Sequence, residues 1–547
     1  MRLSPIVLAL LPGLAASSAY AAVYQVQELP ELSTVRSQFG AAMNDNGDAV
    51  GSASFIYNFP VDISAVDFEN SSITGALTAE EIAQAKLGNI NGKIQGVLLN
   101  YLANNASSYA VQRYSDVQAF NLSTASQIKV REQAAVPTNR EYVYDINNSG
   151  NAIAVATTTF TQQSFTPAAT ETTPSPATVN LWTPAPAHIK SFVVNGNSSV
   201  ALPIPYEERG GGFALAQKIS ETNYIAGSGS VLMLDTVAEA MDKTCDGKAL
   251  PVAICQYNYA LGGSYVERAL VWKMNEAGQI SAPVQYGFLG PAIEGSAESN
   301  YVSRAVSVND IGIAVGSSSY TDENRNISSV HATVYAESEV SAIVDPLEWN
   351  YSSANDINNN NLIVGSANKV INGVQRNKFF VFDYNTKTVT FPKDFFESSN
   401  SVPAAINDNN MVVGVAEILP ADSTTRRQVA FLYDAENSSF TDLNTLLPCD
   451  ASVTLVEAKD INNNNEILAN AVVSVEQRDS MGEVVKDSAG NPLMENVTRP
   501  VKLVPVPNGT IDSCNIPQEQ TYERKGGSTG LLTLLLLPLL LLRRRKY

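Results

Sequence analysis

Oxygen-bearing side chains recur at alternate positions in Asp356-Ile357-Asn358-Asn359-Asn360 and in Asp460-Ile461-Asn462-Asn463-Asn464. That spacing is the one calcium loops use, because a hard cation collects oxygen ligands. The glycine and the downstream bidentate Glu of an EF-hand loop are missing, and Asn and Asp also close turns by bonding their own backbone. We read these segments as turns, with a calcium-stabilised surface protein as one alternative function. A second chemistry is hydrolysis by paired carboxylates, for which 54 Asp and Glu supply candidates without selecting a pair. There are two histidines, His188 and His331. Neither sits in a Gly-x-Ser-x-Gly elbow or a metal-ligand pattern. His331 opens the strand-like His331–Tyr335 and reads as structural, whereas His188 follows a Pro-rich stretch and reads as exposed. Gly210-Gly211-Gly212 is not followed by Lys-Ser/Thr, so it is a flexible loop and no P-loop. The sequence therefore designates no catalytic, cofactor-binding or metal-binding residue.

The elements that must position any site come from an internal repeat. Met43-Asn44-Asp45-Asn46-Gly47-Asp48-Ala49-Val50-Gly51 matches Ile406-Asn407-Asp408-Asn409-Asn410-Met411-Val412-Val413-Gly414. Anchors fall at Asn44, Asn147, Ser220, Asn309, Asn358, Asn407 and Asn462. The residue before each anchor is apolar. The third residue after it is Gly or Asn, the types that best tolerate a left-handed backbone. The fifth and sixth are apolar, and the seventh is Gly or Ala, which lets a neighbouring backbone approach. Each copy reads as strand, tight turn, buried strand, with further strands at Leu181-Trp182, Val271-Trp272, Val334-Tyr335, Val381-Phe382 and Leu432-Tyr433. A unit of four short strands repeated seven times predicts an all-β, seven-bladed β-propeller over residues 22–510. Tyr24–Leu32 precedes the first anchor and resembles the strand Phe440–Leu446, so it is placed to complete the last blade and remove two exposed edges.

Insertions account for the uneven repeat spacing. Thr78-Ala79-Glu80-Glu81 is a capping box, and Ile82, Ala83, Leu87 and then Ile94, Val97, Leu98, Tyr101 and Leu102 follow at helical spacing. A helical insertion is expected over residues 60–115, packed on one face of the propeller. Thr159–Pro186, rich in Thr and Pro, is expected to be an extended loop.

Both termini carry export signals. Arg2, the apolar run Ile6–Leu14 and the small-x-small site Ala19-Tyr20-Ala21 make residues 1–21 a signal peptide cut by signal peptidase. Residues 511–525 form a polar linker. In residues 526–547 a Gly526-Gly527-Ser528 stretch precedes a leucine run, Gly530–Leu542, and the basic cluster Arg543–Lys546. The run is a short transmembrane segment whose basic end stays cytoplasmic. An even count of four cysteines in an exported chain points to two disulfides. Cys245–Cys255 is the local pairing, and Cys449–Cys514 follows from it. No CxxC spacing supports a metal site.

The tail resembles the GlyGly-CTERM sorting tag, in which a rhomboid-like intramembrane protease, rhombosortase, cuts near the glycine pair. That resemblance implies type II secretion, transient inner-membrane association, and display at or release from the cell surface. The repeat resembles the HAF repeat of exported bacterial proteins, with Ala430-Phe431-Leu432-Tyr433 the closest copy of its second strand. The two together resemble an exported domain-of-unknown-function family of marine gammaproteobacteria, which implies a location and no activity.

Charge narrows the function classes. Lys and Arg number 35 against 54 Asp and Glu, a net charge of -19, and such a surface repels phosphate backbones, so nucleic acid is not a partner. The leading reading is a non-enzymatic exported propeller that binds a ligand the sequence does not identify. Its runner-up is a secreted hydrolase using carboxylates in the central channel. For sorting, replacing Gly526 and Gly527 should leave the tail attached to the secreted chain, as read by intact mass. Tail removal at the wild-type rate in that variant would contradict recognition at the glycine pair.

Overall fold

The structure is a computed structural model that describes residues 22–131, 136–292, 298–322, 327–337, 339–419 and 426–512. Among these residues seven four-stranded antiparallel sheets form the blades of a β-propeller. The innermost strands are Val35–Met43, Glu141–Ile146, Ala214–Ile219, Ser303–Val308, Tyr351–Ile357, Ser401–Ile406 and Thr454–Ile461. Each touches the next, and the seventh touches the first. The seven anchors of the repeat therefore mark seven blades.

The columns of the repeat have direct structural causes. The left-handed position is Gly47 (φ 80°), Gly150, Asn223, Gly312, Asn361 (φ 65°), Asn410 and Asn465 in successive blades. The following apolar pair is buried in every blade because a blade packs on both faces and strand side chains alternate between them. In blade 5, Ile363 packs into the cluster shared with blade 4, and Val364 into the one shared with blade 6. The glycine that follows lies opposite a bulge in the innermost strand. A Cβ at Gly414 would sit 2.3 Å from the Val402 carbonyl oxygen, and one at Gly316 would sit 2.0 Å from that of Arg304.

The anchor asparagine joins blades as well as closing its own turn. Its side-chain oxygen accepts the N–H four residues on, as in Asn407 to Met411 (2.9 Å). Its Nδ2 donates to the anchor carbonyl of the next blade: Asn44 to Asn147 (3.1 Å), Asn147 to Ser220 (3.2 Å), Asn358 to Asn407 (2.9 Å), Asn407 to Asn462 (2.8 Å) and Asn462 back to Asn44 (3.1 Å). A second circuit runs one residue further along. The N–H there donates to the side-chain oxygen at the same position of the next blade, as in Asp45 to Asn148 (2.7 Å), Asn359 to Asp408 (2.8 Å) and Asn463 to Asp45 (2.8 Å).

The N-terminal strand Tyr24–Glu28 pairs antiparallel with Met494–Pro505, Val26 opposite Leu503, and supplies the outer strand of blade 7. The ring is thereby closed by hydrogen bonds between the two ends of the folded body, as expected.

Long connections fall between the second and third strands of a blade, on the side away from the anchor turns. Blade 1 carries Ser71–Thr74, Ala79–Lys86 and Gly92–Asn104, the expected helical insertion, with the Thr78/Glu81 capping box formed. Thr159–Pro186 is not a plain extended loop: Phe160–Phe165 pairs with Val179–Pro184. Pro167, Pro174 and Pro176 lie in the connection between those strands, where no ladder N–H is needed. Leu181-Trp182 belongs to this ribbon, and the third strand of blade 2 is instead Ile189–Asn195. Blade 3 holds a helical pair that the sequence reading missed, Asp235–Thr244 and Val252–Leu261. These insertions interlock. Tyr109 Oη donates to Asn258 (2.5 Å), the Trp182 N–H to the Tyr109 carbonyl (2.7 Å), and the Ala168 N–H to the Lys248 carbonyl (2.7 Å).

Replacing Asn407 with Ala removes its bonds to Asn462 and Asn465 and strands the N–H groups of Asn409 and Met411. The expected loss is about 1–3 kcal/mol in urea denaturation, whereas Asn437→Ala, on an exposed turn, should stay within about 0.5 kcal/mol. Equal losses in the two variants would contradict the inter-blade circuit.

Candidate functional site

A β-bulge interrupts every innermost strand three residues before the anchor, between Val143 and Asp145 in blade 2 and between Ala354 and Asp356 in blade 5. Beyond it, the residue two before the anchor is Ala42, Asp145, Lys218, Ser307, Asp356, Ala405 and Asp460 in blade order, and all of these but Ser307 line the channel. Three carboxylates and one ammonium are thus gathered on the axis, and they divide the channel. On one side a chamber of about 510 Å³ extends toward the start of the innermost strands. On the other a space of about 120 Å³ is ringed by the anchor turns, and Asp145, Lys218, Asp356 and Asp460 border both.

Each carboxylate fastens its blade to the next. Asp145 Oδ2 accepts the Ile219 N–H (2.7 Å), Asp356 Oδ2 the Ile406 N–H (2.9 Å), and Asp460 Oδ2 the Met43 N–H across the ring closure (2.7 Å). Asp356 Oδ1 also accepts the Ser307 hydroxyl (2.6 Å), and Lys218 Nζ stands 3.6 Å from Asp145. Burial pushes Asp145 above the usual carboxylate range against the pull of Lys218 and the Ile219 N–H. Burial likewise raises Asp460 to about 6, with Asp145 and Asp356 adding to the effect. Burial draws the Lys218 ammonium down, but Asp145, Asp356 and Asp460 together hold it above the ordinary lysine range.

The wall of the wide chamber differs from this floor. Phe39, Tyr142 and Tyr144 come from blades 1 and 2, Gln217 from blade 3, Asn355 from blade 5, and Glu457 and Lys459 from blade 7. Phe39 and Tyr144 are 41% and 37% exposed, large values for aromatic rings inside a concavity. The Tyr142 and Tyr144 rings lie 6.4 Å apart at 45°. Lys459 pairs with Glu457 at 3.0 Å. A space of this volume lined by aromatic rings with a few polar groups has the form of a small-ligand pocket.

The residues singled out in the sequence fall elsewhere. Asp356, Asn358 and Asn360 do not converge. Asp356 faces the axis, the Asn358 oxygen accepts the N–H groups of Asn360 (3.1 Å) and Leu362 (2.9 Å), and Asn360 Nδ2 donates to the Asp408 carbonyl (2.8 Å). Among the described residues no group of three or more His, Cys, Asp or Glu is arranged to hold a metal ion. His331 is fully buried, with the Ser329 hydroxyl 2.7 Å from Nε2 and the Ser352 hydroxyl 3.3 Å from Nδ1. His188 is not exposed as expected. It is half-buried between Phe213 and Tyr265, the latter parallel at 6.2 Å, and burial lowers its pKa. Its place follows from the Ile189–Asn195 strand beginning directly after it. Gly210–Gly212 is a packed left-handed turn, where a Cβ on Gly212 would meet the Tyr206 carbonyl oxygen at 1.9 Å. Cys245 and Cys255 are bonded and join the two helices of the blade 3 insertion. Cys514 and the processing residues Ala19, Ala21, Gly526, Gly527 and Ser528 lie outside the described residues, as do the two sorting segments. Among the described residues no helix is long and apolar enough to cross a membrane.

The channel carboxylates titrate with a definite sign. Asp145 and Asp460 bind protons more readily in the fold than in the unfolded chain. Their contribution is therefore fully present below the ordinary aspartate pKa and is lost as pH rises, for Asp460 through about 6. The protein should be more stable at pH 5 than at pH 7.5 by this effect. Asp460→Asn keeps an acceptor for the Met43 N–H and removes the charge. It should gain about 2 kcal/mol at pH 7.5 and flatten the profile between pH 4 and 7. A variant profile parallel to the wild-type one would remove Asp460 as its source.

Comparison with solved structures gives matches of low similarity. A puromycin-hydrolyzing peptidase of Mycobacterium tuberculosis is 11% identical, with 66% of this chain and 47% of that one covered and a TM-score of 0.30. A PL25 ulvan lyase is 8% identical over 90% of this chain and 96% of its own, with a TM-score of 0.31. TolB from Acinetobacter baumannii is 9% identical over 59% and 61%, with a TM-score of 0.25. The chain thus spans about half the length of the peptidase. No curated protein matches it. The model of one family, described as a protein of unknown function (DUF3466), matches residues 2–545.

Proposed function

The chain belongs to the DUF3466 family, and from that premise we propose that it is an exported, non-enzymatic binding module whose ligand enters the wide half of the central channel. The observation that carries this reading is the contrast between wall and floor. The wall presents the exposed rings of Phe39 and Tyr144 beside Tyr142, Gln217 and Asn355. The floor carboxylates already accept backbone N–H groups of the next blade. Aromatic surface held open to solvent is costly unless something covers it. The rival reading, a hydrolase, draws on the same three carboxylates, and their commitment to holding blades together weighs against it.

Export is part of the proposal. Residues 1–21 direct the chain to signal peptidase. Residues 526–547 hold it at the inner membrane until a rhombosortase-like protease releases it to the type II secretion machinery, and the protein ends at the cell surface or in the medium. The Cys245–Cys255 disulfide supports an oxidising destination.

Wild-type protein and the Tyr142→Ala/Tyr144→Ala variant, each immobilised, should be exposed to culture medium and envelope extract and their bound compounds compared by mass spectrometry. A compound enriched at least tenfold on the wild type is expected. Equal retention by both, or nothing retained by a folded wild type, would overturn the assignment of the chamber.

A further inference from the structure

The wide chamber has a charge as well as a shape. The side chains that line it include four carboxylates, Asp145, Asp356, Glu457 and Asp460, against two ammoniums, Lys218 and Lys459. Lys459 is paired with Glu457 at 3.0 Å, and Lys218 stands 3.6 Å from Asp145. Asp356 and Asp460 are then left without a cation of their own. The groups they accept from neighbouring blades are neutral, the Ile406 N–H and Ser307 hydroxyl for Asp356 and the Met43 N–H for Asp460. Arg304 takes in blade 4 the place of Tyr142 in blade 2, five residues before the anchor. Its guanidinium is held by both oxygens of Glu267, at 2.8 and 2.7 Å, so it brings no unpaired charge to the channel.

The narrow half of the channel adds charge of the same sign. Asp45, Glu221, Asp310 and Asp408 line it beside the floor, and no cation other than Lys218 does. Burial pushes Glu221 up to about 7, with Asp45 and Asp310 adding to the effect, so that this one group carries part of its charge at neutral pH. A concavity lined by one sign of charge focuses the field of those groups and draws counter-ions in.

The aromatic wall is independent of that charge. Elsewhere the protein covers rings with its own cations: Lys273 Nζ lies 3.5 Å from the centroid of Tyr224, and Lys387 Nζ 3.2 Å from that of Tyr384. Among the described residues no Lys or Arg lies over Phe39, Tyr142 or Tyr144. Three uncovered rings therefore share a cavity with an excess of carboxylates.

We propose that the wide chamber takes a small organic ammonium compound, its cationic end toward Tyr142, Tyr144 and the floor carboxylates Asp356 and Asp460, and its apolar body along Phe39. This inference rests on the chamber being the ligand site and names the class of compound. A cation is attracted by the ring quadrupole and by the floor at once. A neutral compound of the same shape gains the apolar contact alone, and a carboxylate meets uncompensated anions. A chamber of about 510 Å³ is within the range of pockets that enclose small organic ligands.

The test is a ligand-observed NMR titration of the full chain at low salt with three probes of one size: phenethylamine, 2-phenylethanol and 3-phenylpropanoate. The amine should bind at least tenfold more tightly than the alcohol, and the carboxylate more weakly than either. Amine affinity should fall as salt is added. Tyr142→Ala/Tyr144→Ala should weaken the amine at least tenfold. Asp460→Asn, a variant expected to be more stable than the wild type, should weaken it at least threefold. Glu436→Gln removes the same charge from an exposed turn of blade 6 and should leave binding unchanged. Equal affinity for amine and alcohol would overturn the ammonium class and leave the chamber as a ligand site. Preference for the carboxylate, no binding of the amine, or wild-type affinity in both channel variants would overturn the proposal as well. The chamber's role as a ligand site is decided separately, by retention of compounds from culture medium and envelope extract.

Discussion

A closed ring of repeated blades holds together only if each joint, the last-to-first joint included, supplies comparable free energy. Here the joint is the anchor side-chain amide in six of the seven blades; blade 3, whose anchor is Ser220, is joined through Thr222, whose N–H and hydroxyl donate to Asp310 Oδ1 (3.1 Å) and the Asp310 carbonyl (2.7 Å). Asn462 donates to the Asn44 carbonyl at 3.1 Å, and Asn44 to the Asn147 carbonyl at the same distance, so closure uses the contact found between neighbours in sequence. The same amide accepts N–H groups of its own turn. A single residue type thus sets the conformation of the hairpin and its angle to the next one. Buried backbone groups need partners, and this circuit supplies them without bringing a further element into the centre.

The axis shows the cost of that economy. The seven innermost strands leave a chamber of about 510 Å³ around the axis, and beyond the bulge in each one the residue two before the anchor forms its floor in six blades. Four of those positions carry charge, Asp145, Lys218, Asp356 and Asp460. Buried ions are poor sources of stability unless they are paired and hydrogen-bonded. These carboxylates meet the condition by accepting N–H groups of the adjoining blade. Three anions remain against one cation, and the raised pKa of Asp460 follows from that imbalance together with burial. The floor of the channel is thus a brace under electrostatic load, and it leaves the wall above it as the part free to recognise something.

How much of this was legible in the sequence depends on the position within the repeat. Columns under a steric rule could be read directly. The left-handed Gly or Asn, the double apolar position and the small residue beside the bulge all have a cause that acts within one blade. The blade-to-blade role of Asn407 was not legible, since the same residue is equally explained by its own turn. Nor were Asp145, Asp356 and Asp460: their column also holds Ala42 and Ser307, and only the bulge shows that it faces the axis. The helices Asp235–Thr244 and Val252–Leu261 were not legible although Ala238 and Met241 keep helical spacing, because neither opens on a side-chain cap. The burial of His188 was not legible either. The Pro-rich stretch before it hides a paired ribbon, and the next strand starts one residue later.

The strand that completes blade 7 is the first part of the folded body to be synthesised, and its partner, Met494–Pro505, is nearly the last. Until that late segment is available, Tyr24–Glu28 has no ladder to join, and blade 7 presents a bare edge. The earlier blades can stack as they emerge, but the disc stays split, a lock-washer rather than a ring. Final cohesion is postponed to the end of chain delivery, and whatever guards the split form must act throughout that interval.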